Sequence, residues 1–226
     1  MGSSRKFLQG LNPAQREAAR HTEGPVLVLA GAGSGKTRVI TRRIAHILDN
    51  GLAEPSQILA VTFTNKAASE MRERVSELVG KKEASAIFIS TFHSYCLQVL
   101  RKYITHLGYR KNFSIAGDSD SRTLLRRVVE DLGSSETFDT GTFQSQISLM
   151  KNANEAPDPT KPMPVESETG EKYAENFAEV YERYHSALRA ANSVDFDDLM
   201  LLTLRLWNEH PEMHALCRGA FKYVMV

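Results

Sequence analysis

The chain is 226 residues long, 42% hydrophobic and 24% charged, with a formal net charge of +1, the balance of a soluble globular protein with room for one large domain or two modest ones. Its two cysteines, Cys96 and Cys217, lie far apart without metal-type spacing, which fits a reducing cytoplasm and argues against a disulfide framework or a zinc site. No apolar run approaches the length of a membrane span, and the segment from Met1 to Lys6 has no signal-peptide apolar stretch.

The charge is unevenly spread. Residues 1–106 hold 15 Lys/Arg against 8 Asp/Glu, a balance of +7, whereas 107–193 carry −4 and 194–226 carry −2. A basic first segment fits a polyanionic partner such as nucleic acid. The alternative is that Arg42, Arg43, Arg72 and Arg74 merely solvate helix faces.

In chain order, Asn12 as cap and Pro13 as first helical residue predict a helix running to about His21. Val26 to Ala30 reads as an apolar strand. A helix over 36–49 closed by Gly51, a strand over 58–63, and a helix over 65–79 closed by Gly80 follow. A strand over 86–90 then leads into a helix over 91–107 closed by Gly108. Short apolar strands alternating with helices predict a parallel sheet covered on both faces. After Gly108 helical patterns dominate, over 119–132, 140–154 and 172–192, and the Pro- and Glu-rich stretch from Ala156 to Gly170 reads as an exposed loop. A helix over 195–208 and an apolar strand over 221–226 close the chain. An ending on a core strand reads as a truncation, because the catalytic loop of an α/β site follows such a strand.

The chemistry concentrates in a few places. Ala30-Gly31-Ala32-Gly33-Ser34-Gly35-Lys36-Thr37 is a glycine-dense turn between a predicted strand and a predicted helix. Glycines let successive backbone N–H groups converge on one anion. Lys36 adds a point charge for β- and γ-phosphates, Thr37 offers a hydroxyl to Mg²⁺, and the helix N-terminus points its free donors at the same place. The first position is Ala30 where the usual pattern has glycine. A ligand-free turn is the bland alternative, and it leaves the coincidence of strand, loop, Lys-Thr and helix unexplained.

Four further runs occur in a fixed order: Leu11-Asn12-Pro13-Ala14-Gln15 before the turn, Val61-Thr62-Phe63-Thr64-Asn65-Lys66-Ala67-Ala68 after the second strand, Ser90-Thr91-Phe92-His93-Ser94 after the third, and Val194-Asp195-Phe196-Asp197-Asp198-Leu199 at the late helix. With the phosphate loop, they resemble the superfamily 1 DNA helicases of the UvrD/Rep/PcrA type over essentially the whole chain, and Ala30 suits that family. The resemblance implies an α/β fold, a RecA-like P-loop NTPase parallel sheet with an inserted all-helical subdomain. Residues 1–107 would be the first part of the motor domain, 108–193 the insert, and 194–226 the return, truncated before an Asp-Glu-x-x-Asp motif. It implies an ATP-dependent 3′-to-5′ DNA helicase or translocase of repair or replication, cytoplasmic, using ATP and Mg²⁺ on single-stranded DNA and single-strand/duplex junctions.

Residue by residue, the resemblance makes Gln15 the adenine-reading amide, with Lys36 and Thr37 at the phosphates and metal and Arg38 beside the nucleotide. Phe63, Thr64, Asn65 and Lys66 resemble one DNA-contacting motif, the ring for a base to stack on and the others to donate to phosphate. Thr91 and His93 resemble the next, with Phe92 packing inward. A core position for Phe63 and a solvent-facing one for Arg38 are the structural alternatives. Asp195, Asp197 and Asp198 are read as helix-start caps rather than a metal cluster. The expectation for residues 1–226 alone is binding without ATP hydrolysis or unwinding. Two rival functions remain open: a stand-alone nucleotide- or DNA-binding module, and a P-loop phosphotransferase.

Overall fold

The computed structural model describes residues 6–132, 140–158, 160 and 170–226, with no side-chain detail for 170–176. The chain forms two compact units, one of residues 1–95 with 215–226 and the other of residues 96–214.

The first unit is built on a three-stranded parallel sheet in the order β2-β1-β5, with β1 at Ile58–Thr62, β2 at Phe88–Thr91 and β5 at Tyr223–Met225. Ile58, Leu59, Ala60 and Val61 are all 5% exposed or less, so β1 is buried on both faces, as an uninterrupted apolar run in a parallel sheet should be. Helices α2 (Lys36–Asp49), α3 (Asn65–Val79) and α4 (Lys81–Ala86) share its core, and α1 (Pro13–Arg20) packs on α2. Ile44 and Ile47 of α2, Met71 and Val75 of α3, and Ile89 and Met225 of the flanking strands close one core on Ile58 and Ala60. Asn12 and Gln15 start α1 with a reciprocal capping box, the Asn12 side chain accepting from the Gln15 N–H at 2.8 Å and the Gln15 side chain from the Asn12 N–H at 3.1 Å.

The apolar run from Val26 to Ala30, expected as a strand, is not one. Val26, Leu27, Val28 and Leu29 are 44, 84, 47 and 88% exposed, and none of the described strands pairs with them. Apolar β-branched residues supply propensity, but a strand exists only where a neighbour takes its ladder hydrogen bonds. Three of the arginines named as helix-face charge do more than solvate a face. Arg42 donates to the carbonyl of Phe7, Arg43 to those of Ala18 and His21, and Arg72 to that of Ile89, while Arg74 pairs with Glu70 at 3.6 Å. Three of the four arginines therefore also hold a carbonyl, in the 3₁₀ turn before α1, at the end of α1 and on β2, while Arg72 and Arg74 remain exposed.

The second unit is mostly helical. It contains the later part of α5 (Phe92–Tyr103), a 3₁₀ turn at Ile104–Leu107 closed by Gly108, α6 (Asp118–Asp131), α7 (Thr140–Ala153), α8 (Gly170–Ala190), α9 (Asp198–Glu209) and the start of α10 (Pro211–Gly219). A short parallel ladder joins β3 (Ser114–Ile115) to β4 (Ser193–Val194). Leu125 and Val129 of α6, Phe143 and Ile147 of α7, and Phe177 and Leu188 of α8 form its core. Phe143 and Phe177 stack with centroids 6.0 Å apart. The helix expected over 91–107 ends at Tyr103 and tightens into the 3₁₀ turn. Helix α4, too short for a periodic signal, and α10 were not expected. The loop expected over 156–170 lies, apart from 156–158, 160 and Gly170, outside the described residues. Cys96 and Cys217 are both free thiols.

A buried ion cluster joins the helices of this unit. The side chain of Lys151, fully buried on α7, donates to Asp195 Oδ2 at 2.5 Å and Asp198 Oδ1 at 2.8 Å. Tyr184 of α8 adds its hydroxyl to Asp195 Oδ2 at 3.0 Å. The two aspartates also cap each other's backbone, Asp198 N–H to Asp195 Oδ1 at 2.9 Å and Asp195 N–H to Asp198 Oδ2 at 3.0 Å. The capping expected of these carboxylates is present; their buried lysine was invisible in sequence. Asp197 instead stays at the surface, accepting from Asn152 at 3.2 Å.

Two pH effects follow with opposite sign. Burial, with the nearby Lys151 charge second, pulls His185 down to about 4. The unfolded chain then binds more protons between about 6.5 and 4, so this group's stabilisation is present above 6.5 and lost as pH falls through 4. Burial, only partly offset by Lys151 and reinforced by Asp195, pushes Asp198 up to about 6, so its contribution is lost as pH rises through 6. Urea unfolding at pH 7 and 4.5 should show the His185→Gln variant losing less stability on acidification than the parent chain. Removing the cation, as in Lys151→Met, strands two buried carboxylates and should cost about 3–5 kcal/mol at pH 7, read from the same urea curves.

Candidate functional site

The parallel register decides what meets at the carboxyl edge of the sheet. Thr62 of β1 pairs with Thr91 of β2, so the next residues, Phe63 and Phe92, emerge side by side. Their ring centroids are 5.6 Å apart. Phe63 is 83% exposed, which rules out the core position, and Phe92, expected to pack inward, is only half-buried. Two Thr-Phe pairs, each closing a strand, were the sequence signal for this double ring. The carboxyl edge is also where open α/β sheets characteristically take ligands.

Backbone donors flank the rings. Thr64 caps α3, its hydroxyl accepting from the Ala67 N–H at 3.1 Å, and leaves Asn65 and Lys66 exposed in the first turn. That turn offers free N–H groups and the positive end of the helix dipole beside the Lys66 ammonium, a setting suited to phosphate. Thr91 differs from its expected contact role in one respect. It is 7% exposed, and its hydroxyl is engaged with the Ser94 hydroxyl at 2.9 Å and the Ser94 N–H at 3.2 Å. It caps the start of α5, where His93 sits half-buried.

The glycine-rich turn lies in the same unit. Gly33 and Gly35 have φ of +72° and +86°, values that L side chains seldom adopt. Gly35 caps α2 without a side-chain oxygen, so the first-turn N–H groups of that helix have no capping acceptor. A Cβ built on Gly31 or Gly33 would meet nothing within 4 Å; the room beside the loop is free for a ligand. Lys36 Nζ bonds the Ala30 carbonyl at 3.0 Å and the Gly31 carbonyl at 3.2 Å, folding its charge over the turn. Ser34 bonds the Gly31 carbonyl at 2.7 Å, while Ala32 is exposed at the loop tip. The Thr37 hydroxyl takes part in none of the described hydrogen bonds, and a hydroxyl oxygen is a ligand type that suits Mg²⁺.

Gln15 is committed at both ends of its amide. Its oxygen accepts from Asn12, and its Nε2 donates to the Ser34 carbonyl at 2.9 Å. It ties α1 to the glycine-rich loop, and a Cβ at Gly35 would approach its Nε2 to 3.0 Å. Reading an adenine edge would require Gln15 to exchange one of these bonds. Arg38 is exposed, and its guanidinium lies where a Cβ on Gly10 would fall, at 2.9 Å.

Residues 11–226 match the UvrD/REP helicase N-terminal domain family. The chain is 43% identical over 218 residues to an ATP-dependent DNA helicase PcrA of Leuconostoc citreum, covering 96% of this chain and 28% of that protein. It is 40% identical to the ATP-dependent DNA helicase PcrA of Bacillus subtilis over 99% of this chain and 30% of the relative. It is 44% identical to the ATP-dependent DNA helicase UvrD1 of Mycobacterium tuberculosis over 98% of this chain and 28% of the relative. The chain thus spans under a third of the length of these curated relatives.

The two edge positions should separate in a stability measurement. Thr91→Val removes a helix cap and should cost about 1 kcal/mol, whereas Phe63→Ala at an exposed ring should stay within about 0.5 kcal/mol of the parent chain; chemical denaturation of both variants checks this.

Proposed function

The chain belongs to the UvrD/REP helicase N-terminal domain family, and we propose that it forms the part of an ATP-driven DNA motor that receives the nucleotide phosphates and grips single-stranded DNA. The observation that carries this reading is the paired register of β1 and β2, which sets Phe63 and Phe92 together beside the donors of Asn65 and Lys66, in one unit with the Gly-Lys-Thr loop. A ring platform next to phosphate donors is the arrangement that binds single strands without reading sequence.

In this proposal residues 1–107 and 194–226 make up a RecA-like P-loop motor domain and 108–193 are an insert, whereas the compact units divide at 95/96 and 214/215. The loop N–H groups of Gly31, Ala32, Gly33, Ser34 and Gly35 receive the ATP phosphates. Lys36 leaves the Ala30 and Gly31 carbonyls for the β- and γ-oxygens, where charge builds during transfer. Thr37 holds the Mg²⁺ ion, which when bound neutralises phosphate charge. Arg38 lies beside the nucleotide, and Gln15 turns from Asn12 or Ser34 to the adenine edge. On the DNA side, a base stacks on Phe63, phosphates bond Thr64, Asn65 and Lys66, and His93 adds a contact whose position Thr91 fixes through its cap. The whole protein acts as a 3′-to-5′ helicase or translocase on single strands and single-strand/duplex junctions, in cytoplasmic repair or replication.

Residues 1–226 alone bind without turning over.

Fluorescence anisotropy with a labelled oligothymidylate, at several salt concentrations, tests the DNA half. Phe63→Ala should weaken binding by about 1–3 kcal/mol, and Lys66→Ala should flatten the salt dependence by about 0.7 in log–log slope. Absence of oligonucleotide binding even at low salt would overturn the DNA assignment. A fluorescent ATP analogue should bind the parent chain and not Lys36→Ala. DNA-stimulated ATP hydrolysis by residues 1–226, lost in Lys36→Ala, would sink the claim that these residues do not turn over.

A further inference from the structure

We propose that His106, His210 and Glu212 bind one divalent transition-metal ion of the Zn²⁺ class, in a site separate from the nucleotide loop. Each offers one ligand atom, and these atoms all lie within 4.8 Å of one another. The His106 and His210 rings stand 5.0 Å apart at 61° to each other, and His210 Nδ1 is 3.5 Å from Glu212 Oε1. The cluster lies within the unit of residues 96–214, while the Gly-Lys-Thr loop lies in the other.

The backbone under the three side chains is held by packing that needs no ion. His106 sits in the 3₁₀ turn Ile104–Leu107, whose Ile104 and Leu107 are 0 and 6% exposed. His210 ends α9, its N–H bonded to the Leu206 carbonyl at 2.9 Å and its own carbonyl to the Met213 N–H at 2.9 Å. Leu206, one turn earlier, is fully buried. Glu212 is in the first turn of α10, where a carboxylate also complements the helix dipole. The main chain is thus fixed while the ligand atoms remain near the surface. His106 and Glu212 are exposed and His210 half-buried, which gives an ion a way in.

Ligand atoms around a tetrahedral ion at 2.0–2.1 Å stand roughly 3.3 Å apart. Rotation of the exposed His106 and Glu212 side chains closes the remaining gap. Two imidazoles and one carboxylate suit Zn²⁺ and its first-row neighbours, with water completing the shell, whereas Mg²⁺ prefers oxygen alone. The donor set therefore discriminates against the ion expected at Thr37. In chemical terms the ion would be a staple from the 3₁₀ turn to the corner between α9 and α10.

Calorimetric titration of the whole chain with ZnCl₂, in excess Mg²⁺, tests the site. The expected result is one saturable site per chain that Mg²⁺ does not block, and a tetrahedral absorption band when Co²⁺ is used in place of Zn²⁺. His106→Ala, His210→Ala and Glu212→Gln should each weaken Zn²⁺ binding by at least the roughly tenfold that loss of an outer-shell partner costs. His21→Gln, an exposed histidine of the other unit, should leave it unchanged. Zn²⁺ should also raise the Tm of the parent chain in a concentration-dependent way, and in Glu212→Gln the same shift should need at least roughly tenfold more Zn²⁺, a surface change that keeps the test open if His210→Ala misfolds. No saturable binding, or binding that survives in both His106→Ala and Glu212→Gln, overturns the proposal.

Discussion

The parallel pairing of Ile58–Thr62 with Phe88–Thr91 is the constraint on which the candidate DNA surface rests. Because Leu59 faces Phe88 and Thr62 faces Thr91, the two strands end level with each other, and the residues that follow leave the sheet together. A slip of one residue would turn the apolar set of β1 toward the other face and separate Phe63 from Phe92. The core of Ile44, Met71, Val75 and Met225 against Ile58 and Ala60 fixes that register. Burial far from any ligand therefore sets the spacing of two rings at the surface.

In the second unit the comparable role falls to charge. Lys151 joins α7 to the start of α9, and Tyr184 brings in α8. One lysine for two carboxylates leaves an unequal pair. The lysine charge and the bonds to Asp195 hold its carboxyl below the ordinary range despite burial, while burial and the Asp195 charge push Asp198 up to about 6. Such a cluster is a costly way to gain stability compared with apolar side chains of similar volume. What it does supply is a three-helix junction, two ion pairs from Lys151 and one hydroxyl bond from Tyr184.

The glycine-rich loop combines order and openness. The positive φ of Gly33 and Gly35, the Gln15 bond to Ser34 and the Lys36 bonds to Ala30 and Gly31 shape it. The apolar residues leading into it are nevertheless exposed, Leu27 and Leu29 above 80%. An exposed apolar segment of this length is unusual on a soluble surface. Local sequence shapes the turn, because glycine torsions and a lysine folded back on its own loop are short-range features.

Helix bounds at 36–49 and 65–79 were readable directly, because capping residues, glycine stops and a 3.6-residue apolar period act within one or two turns. The Gly-Lys-Thr loop and the two Thr-Phe strand ends were readable for the same reason, and the ordered motifs carried the family. What sequence left open was every pairing across distance. Val26 to Ala30 has strand composition yet no ladder partner, because pairing depends on a neighbour and not on propensity. Arg42, Arg43 and Arg72 read as surface charge and proved to bind carbonyls. Lys151 with Asp195 and Asp198, and His106 with His210 and Glu212, are sets whose members lie far apart in the chain. Local chemistry is written in neighbouring letters, whereas which distant side chains share a site is decided by how buried faces pack.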